Sequence, residues 1–424
     1  MRRFLDKTIW IFLAGNKFVA KIKLAPFYTL DMILLLYILS INPFKILRWT
    51  ARLWPALLVL LQATIWFTYD ISQANGAWRD YEYMLRRYAM GVYFVIPILL
   101  FSGGLEVIKY IQSRYIMIVF TTLSFYLLWR LNLIEYSPSW AAFVIGVLLI
   151  YHIGKIMSMS KPKAYDIYIT YIIILILIII TKDPGGGFYR SPLLALMAGA
   201  IYLIINGIIY QIKKIHIIIY SASILLLSFM SIAFYFTPPG EKFYKEIYCS
   251  SAAIIKANDS AGSCSLQRSR GDPVGTIKTR LSFWAAIVEY NTSDPVRFFF
   301  GSGHRKAFLE VVPTNEILQP MQARSDAALI EPHNSYMGLY FRYGIMGMLL
   351  FVSLLMLVSR ACVLPRPRWS RAAAIGIRIM ALVYITTEVA LEVPYGAMIF
   401  WLVWLLTCNV APRFAGKSLE KAGG

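Results

Sequence analysis

The chain has 424 residues, of which 58% are apolar and 15% are charged, and its 42 Lys and Arg against 22 Asp and Glu give a formal net charge of +20. Soluble domains are about 45–50% apolar and about 25% charged, so the composition excludes an ordinary soluble enzyme and a disordered chain. A basic nucleic-acid-binding protein would not carry apolar runs of this length. We therefore predict a membrane protein with no nucleic-acid partner, whose net charge mainly reports where its basic loops lie.

Apolar runs recur along the chain, and a membrane helix needs about 20 largely apolar residues. Residues 4–22 are ambiguous, because they fit either a short span or a basic amphipathic helix in the membrane interface. No signal-peptide cleavage site follows them, so we expect them in the mature protein. The predicted fold is an all-α polytopic membrane protein of about 12 transmembrane helices. Eleven spans are clear, near residues 27–44, 53–70, 88–105, 114–131, 139–157, 165–181, 191–210, 215–236, 335–359, 372–391 and 394–411.

Every second short loop is basic, and this alternation identifies the cytoplasmic face. The segment 238–333 then lies outside, and the C-terminus lies in the cytoplasm, as does the N-terminus if there are twelve spans. We predict an N-terminal transmembrane bundle of about eight or nine spans (1–237), a large outer loop with short helices (238–333), and three last spans with a tail (334–424). The basic loop and tail residues include Lys45, Arg48, Arg52, Lys109, Arg114, Lys155, Lys161, Lys163, Lys213, Lys214, Arg360, Arg366, Arg368, Arg371, Arg413, Lys417 and Lys421.

The chain has four cysteines, and their predicted locations differ. Cys249 and Cys264 lie in the outer loop, where a disulfide can persist, and they either pair or remain two thiols. Cys362 and Cys408 lie toward the cytoplasm, so we expect both to be reduced. No CxxC or HExxH metal pattern occurs, and we predict neither a metal site nor a cofactor.

Histidine is the usual general base near neutral pH, and the chain has four. His152 and His216 lie near cytoplasmic span ends, as expected for packing or interface residues, whereas His304 and His333 lie on the outer side. His333 follows Pro332 where a span begins. The free N–H groups and positive dipole end of a first helical turn favour a neutral imidazole there. His333 is therefore a candidate general base, and a capping or interfacial histidine is the alternative.

Arginines occur on the outer face, which is usually poor in them. Arg190 follows three consecutive glycines in TKDPGGGFYRSP, which let the main chain approach a ligand closely. Arg268, Arg270 and Arg280 lie in SLQRSRGDPVGTIKTRLSFW, and the apolar stretch 280–290 is expected to rest on the membrane or to cap a cavity. Guanidinium groups clamp phosphate oxygens bidentately, while lipid headgroups or solvent are the alternative partners. This set suits transfer from a diphosphate, with arginine supplying the charge that Mg²⁺ usually supplies.

Three stretches carry a family resemblance. They are GGGFYRSPLLAL (185–196), TRLSFWAAIVEY with DPVRFFFGSGHRKAF (279–308), and HNSYMGLYFRYGIMG (333–347). They are similar, in order, to a Gly/Ser-Arg segment that opens a span, an Arg-bearing helix with a Gly-x-Gly turn, and a His-Asn pattern followed by Gly-x-x-Gly. With the long outer loop before the last three spans, they resemble the O-antigen ligase and polymerase superfamily of bacterial inner-membrane proteins.

This resemblance implies a GT-C-like fold and a metal-independent transfer on the periplasmic face of the inner membrane. The donor would be a glycan on undecaprenyl diphosphate, in contact with membrane lipids. The acceptor would be a sugar hydroxyl of the lipid A-core in a ligase, or the terminal sugar of another lipid-linked unit in a polymerase. The oligomeric state stays open. His333 matches the essential histidine, Arg190 and Arg280 match the arginines that hold the diphosphate, and further substrate contacts are expected at Arg268, Arg270, Asn334, Gly187, Tyr189, Arg305 and His304.

One position departs from the family, since many members have an acidic residue where this chain has Arg342. Arg342 lies about 13 Å along the helix from His333 and on the opposite helix face. We therefore expect it not to touch the reacting centre, but to pair with an acid such as Glu388 or to face the cavity. By resemblance, a basic residue here slightly favours a ligase over a polymerase.

Two other classes of function are weighed against transfer. A transporter of polysaccharide or lipid-linked glycan would typically show inverted repeats and more charge within its spans, and the sequence shows no repeat and little such charge. A structural scaffold would leave the outer arginines unexplained. Transfer is therefore the favoured function.

Overall fold

The computed structural model describes residues 2–20, 23–24, 27–74, 78–159, 163–181, 189–209, 273–311, 334–362, 364–365, 368–388, 391 and 393–408. Within these ranges the chain is helical, apart from one antiparallel pair of two-residue strands, β1 (Lys23–Leu24) and β2 (Phe27–Tyr28). The predicted all-helical class is confirmed. The helices are α1 (Arg2–Thr8), α2 (Ile11–Ala20), α3 (Thr29–Ser40), α4 (Pro43–Arg52), α5 (Trp54–Ser72), α6 (Trp78–Tyr93), α7 (Ile96–Ser102), α8 (Glu106–Arg130), α9 (Pro138–Met157), α10 (Ala164–Thr181), α11 (Arg190–Ile209), α12 (Pro273–Thr292), α13 (Pro295–Phe300), α14 (Ser335–Ala361), α15 (Arg368–Ile385) and α16 (Pro394–Leu406), with a 3₁₀ turn at Phe308–Glu310.

Five helices in the described residues, α5, α8, α9, α10 and α14, are long and apolar enough to cross a membrane. The number rises to seven if each of two bent helix pairs forms one span. These five coincide with the predicted spans 53–70, 114–131, 139–157, 165–181 and 335–359. The chain is thus a multi-pass membrane protein by its helices, while the total of about 12 spans stays a prediction. The predicted span 215–236 lies outside the described residues.

Two predicted straight spans are bent, and a proline explains each bend. Span 27–44 is wrong as a single helix, because α4 turns away from α3 by 110°. Asn42 caps α4 by accepting from Phe44 N at 2.9 Å, and Pro43 opens the new helix. Span 88–105 bends by 45° between α6 and α7, where Pro97 has no N–H to donate to the carbonyl of Tyr93.

The ambiguous segment near the N-terminus folds as two short helices packed into the bundle. In α2, the side chains of Phe12, Leu13 and Asn16 are buried. Asn16 Nδ2 donates to Ser137 O at 3.2 Å, and α2 packs on α8 and α16. The described part of this segment is therefore neither one continuous span nor a helix lying free on the membrane surface.

Helix α9 lies at the centre of the bundle and is the most buried of the five candidate spans. It is apolar on all sides, as expected for a helix surrounded by others, and it packs against α8, α10, α11 and α15. Helices α11 and α15 approach closely at two glycines, because a methyl group on Gly376 would lie 3.1 Å from Gly199 O. Small residues at such crossings bring membrane helices into van der Waals contact.

Helix α12 contains the apolar stretch that we expect on the membrane or over a cavity. Its residues Phe283 and Ile287 pack with Phe308 and Phe341 in a small cluster separate from the main core. Helix α12 therefore folds against the first turns of α14. This packing places Arg280 near the end of the bundle where α14 begins.

Cys362 and Cys408 form a disulfide, so the expectation that both are reduced is wrong in this structure. Cys362 directly follows α14 and Cys408 lies just after α16, and their Cα atoms are 4.8 Å apart. The two helix ends meet although 46 residues separate the cysteines. Cys249 and Cys264 lie outside the described residues.

Candidate functional site

Several helix ends meet around Glu388, just beyond α15. Ser139 Oγ, in the first turn of α9, donates to Glu388 Oε1 at 3.2 Å. Ser191, in the first turn of α11, also hydrogen-bonds the Glu388 side chain. Ser335 Oγ, at the start of α14, donates to Glu388 O at 3.3 Å. Three helix N-termini therefore open toward one point, and their N–H groups and dipoles favour a negative charge there.

Arg280 reaches the same point from α12. Its Nη1 donates to Thr387 O at 3.1 Å, and its positive charge acts on the Glu388 carboxylate. A half-buried guanidinium beside three helix N-termini offers donors that match phosphate oxygens. We call Glu388, Arg280, Ser139, Ser191 and Ser335 the Glu388 cluster.

The predicted site residues relate to this cluster in different ways. Arg190 is the first residue of α11 and directly precedes Ser191. Asn334 caps α14, since its Oδ1 accepts from the main-chain N–H groups of the next turn at 2.9 and 3.2 Å. Tyr189 N donates to Thr181 O at 2.9 Å, which joins the two ends of the loop between α10 and α11. Outside the described residues lie His333, which precedes Asn334, and Gly187, Arg268 and Arg270.

His304 and Arg305 lie in a second group, where the loop 301–306 is held by α5, α6 and α14. Asp70 Oδ2 accepts from His304 N at 2.6 Å and from Arg305 N at 3.1 Å. Arg87 Nη1 donates to His304 O at 2.6 Å and to Arg305 O at 2.9 Å. Asp70 and Arg87 are both buried. The main chain of this loop is therefore fixed by charged side chains from two helices.

Arg342 belongs to this second group and not to the Glu388 cluster. It is 1% exposed, and its Nη1 donates to Gly303 O at 3.3 Å and to Lys306 O at 2.6 Å. Glu388, the acid named as an example of its partner, lies beside Arg280 instead, and the Arg342 charge acts on the Asp70 carboxylate. We call Asp70, Arg87 and Arg342, together with loop 301–306, the loop clamp.

The ring of His304 is enclosed inside the loop clamp. It is 0% exposed, and Nε2 donates to Ala63 O at 3.2 Å, which leaves Nδ1 without a hydrogen-bond partner among the described residues. The rings of Tyr88 and Tyr343 meet it edge-on. Burial, with the nearby charges of Arg342 and Arg87, lowers the pKa of His304 to about 3. This imidazole stays neutral near pH 7, and its enclosure favours packing over the predicted substrate contact.

Two glycines allow the loop clamp to close on α14. Gly301 has φ +81°, and a methyl group there would lie 2.3 Å from the main chain of Arg342. Gly344 has φ +64°, and a methyl group there would lie 2.5 Å from the main chain of Phe299. The Gly-x-Gly turn and the glycines that follow the His-Asn pattern therefore form one packed unit, since a side chain is excluded at both contacts.

Sequence reasoning named Glu388 as a partner for Arg342 and not for Arg280, and it did not identify Asp70 or Arg87 as partners of loop 301–306. For Glu388 a signal existed, because an acidic residue within a predicted span is costly and needs a partner. The identity of that partner depends on how α12 folds back, which the sequence does not encode locally. No group of three or more His, Cys, Asp or Glu side chains in the described ranges is arranged to hold a metal ion.

Comparison with known proteins finds a family that part of the chain resembles. Residues 172–352 match the family model described as O-antigen ligase, a segment that begins in α10 and ends in α14. The segment includes Arg190, Arg280, loop 301–306 and Arg342, whereas Glu388 lies beyond it. No curated protein sequence matches the chain. The matched family is one of membrane enzymes that transfer glycans in O-antigen or polysaccharide assembly. Residues 172–352, somewhat less than half of the chain, are thus similar to the O-antigen ligase superfamily.

Proposed function

We propose that this protein moves a glycan en bloc from undecaprenyl diphosphate to a sugar hydroxyl of the lipid A-core, at the periplasmic face of the bacterial inner membrane. One observation carries the proposal. The Glu388 cluster joins Arg280 to the start of α11, whose first residue is Arg190, and to the start of α14, whose capping residue Asn334 follows His333. Arg280 and Arg190 thus belong to segments that converge on one end of the bundle, and His333 is next in sequence to the residue that caps α14 there.

The proposed reaction is a single displacement. Neutral His333 takes the proton of the acceptor hydroxyl, and the hydroxyl oxygen forms a bond to the anomeric carbon of the donor. The bond from that carbon to the diphosphate oxygen breaks, and its electron pair leaves with undecaprenyl diphosphate. Attack opposite the leaving group inverts the anomeric centre.

Negative charge grows on the diphosphate as the bond breaks, and fixed positive charge lowers the free energy of that state. Arg280 and Arg190 supply the charge in this proposal, and the N-termini of α9, α11 and α14 add their dipoles. Glu388 acts as a positioning residue, because its carboxylate attracts the Arg280 guanidinium and accepts hydrogen bonds from the first turns of α9 and α11. We propose that the reaction needs no metal ion, since these groups provide the charge.

The test uses purified full-length protein with lipid-linked glycan, lipid A-core acceptor and a chelator. We expect the wild type to form product without added metal or nucleotide, which a transporter would not do. His333→Ala should abolish product while the protein still inserts, and near-normal transfer by this variant would refute the assignment of the base. Arg280→Lys keeps the charge but loses the guanidinium fork, so we expect a partial defect. Arg297→Lys, in the partly exposed ion pair with Asp294, is the matched control and should transfer normally.

The acceptor is tested separately by deleting the gene and separating surface polysaccharide by electrophoresis. Accumulation of free lipid-linked polymer supports the ligase. A core capped by a single repeat unit would assign a polymerase to the same site. Both outcomes leave the transfer chemistry unchanged, so this experiment addresses the acceptor alone.

A further inference from the structure

Helix α4 is an amphipathic helix whose side chains fall into three sectors. At 100° per residue, Ile46, Trp49 and Leu53 lie on one side, and this side faces the bundle. Trp49 stacks on Phe101 with ring centroids 4.5 Å apart, and Leu53 is 1% exposed. One third of the helix circumference is thus used for packing.

The other two sectors point away from the protein. Phe44 and Leu47 are 79% and 67% exposed, and with Ala51 they form an apolar sector roughly opposite the bundle. Lys45, Arg48 and Arg52 are exposed and form a basic sector between the other two. No residue of α4 is buried, and the helix contains no acidic residue. An apolar sector beside a basic sector matches the boundary between acyl chains and phosphate groups.

The ends of α4 are fixed, so its orientation is set by the fold. Ile41 before it and Leu53 after it are buried, and the helix turns from α3 by 110°. The exposed apolar residues of α4 continue those of α3 and α5, such as Leu39 at 68% and Leu61 at 52%. A surface that continues the apolar face of a candidate membrane span is covered by lipid.

We propose that α4 is an interfacial helix that binds the phosphate groups of anionic phospholipids through Lys45, Arg48 and Arg52. The apolar sector selects a lipid over a free phosphate ion, because Phe44 and Leu47 need an acyl-chain environment. The basic sector selects an anionic over a zwitterionic headgroup. Asp70 of the loop clamp lies about 24 Å along α5 from Trp54, so this surface is separate from the loop clamp.

The experiment measures the melting temperature of the full-length protein in a neutral detergent while phosphatidylglycerol or phosphatidylcholine is added. We expect phosphatidylglycerol to raise the melting temperature in a saturable way, and phosphatidylcholine to have a much smaller effect. In the variant with Lys45→Gln, Arg48→Gln and Arg52→Gln, apparent affinity for phosphatidylglycerol should fall about 100-fold, since each basic residue near an anionic surface contributes about fivefold. Glycerol phosphate, which has the anion but no acyl chain, should give no shift.

A matched control removes the same charge elsewhere on the predicted cytoplasmic side, with Lys109→Gln, Arg360→Gln and Arg371→Gln. This control should keep the phosphatidylglycerol response of the wild type. An equal loss in both variants would overturn the proposal, because it would show a general charge effect. An unchanged response in the α4 variant would overturn it as well. If the α4 variant is unstable before lipid is added, Arg48→Lys with Arg52→Lys keeps the charge, and loss of the response in that variant would also contradict the proposal.

Discussion

Asp70 is the acidic residue of the loop clamp, and its removal gives the most direct test of that structure. Its side chain is 4% exposed, and one carboxylate oxygen accepts from two consecutive main-chain N–H groups, those of His304 and Arg305. The positive charges of Arg342 and Arg305 act on the same carboxylate. Asp70→Ala would leave both N–H groups without their acceptor and would reduce the negative charge facing the buried arginines.

The loss of stability expected for Asp70→Ala follows from these contacts. A hydrogen bond to a charged group contributes about 1.5–3 kcal/mol, and breaking a buried ionic arrangement on one side costs about 3–5 kcal/mol. We therefore expect Asp70→Ala to lower the free energy of unfolding by about 3–5 kcal/mol. Asp70→Asn keeps an oxygen acceptor and removes only the charge, so its loss should be smaller.

The assay is equilibrium unfolding of the purified protein in a lipid–detergent mixture. Asp294→Ala is the matched control, because Asp294 Oδ1 also accepts from a main-chain N–H group, that of Val296 at 2.8 Å, but in an exposed place. Loss of this helix cap should cost about 1 kcal/mol. A loss for Asp70→Ala no larger than that for Asp294→Ala would refute the loop clamp as a buried ionic structure.

Two further predictions concern the same loop. The pKa of His304 is lowered to about 3, so the unfolded chain takes up a proton at pH values where the folded chain does not. The contribution of His304 to the free energy of unfolding should be constant above pH 6.5. Below pH 6.5 it should lower that free energy by about 1.4 kcal/mol per pH unit. In His304→Gln, the free energy of unfolding should depend on pH less steeply between about pH 6.5 and 5.5, because this contribution is absent. Gly301→Ala should cost more than about 2 kcal/mol, because it combines a left-handed φ with a main-chain clash. Gly146→Ala in α9 should cost much less in the same unfolding assay, because the new methyl group would meet the flexible end of Met380 at 3.3 Å and Leu196 at the ordinary contact distance of 3.5 Å, and no main-chain atom closer than these.

Long apolar helices could be predicted from the sequence because their signal is local. The predicted spans corresponding to α5, α9 and α10 coincide closely with the observed helices, since a continuous apolar run determines both. The bend between α3 and α4 was not predicted, although Asn42 and Pro43 carry its local signal. Hydropathy alone extended the span across these two residues, because their neighbours are apolar on both sides.

The site was predictable only in part, for a different reason. Arg280 was identified from residue type and family pattern, and it does lie where helix ends converge. Its contact with the Glu388 region joins residues 107 positions apart, and such a pairing depends on how α12 packs against α14 and not on any local period. Likewise, the close approach of Cys362 and Cys408 depends on two helix ends meeting. The chemistry inferred from residue types stays a prediction, whereas tertiary packing determined the partners of Arg280 and of the two cysteines.

The Glu388 cluster and the loop clamp share helix α14. Two kinds of transfer defect can therefore be distinguished: one that displaces α14 and one that changes the charge geometry of the Glu388 cluster. Ser335, at the Glu388 cluster, and Arg342, at the loop clamp, are seven residues apart, so they lie about 10 Å apart on nearly the same helix face. Weakening the loop clamp with Asp70→Ala should therefore reduce glycan transfer by loosening the start of α14, although Asp70 does not contact Glu388 in the described structure. Such a loss should shrink when transfer is measured at lower temperature, where more of the protein is folded. The defect of Arg280→Lys should persist at every temperature, because it changes the charge geometry and not the position of the helix. Equal temperature dependence in the two variants would contradict this division between positioning and chemistry.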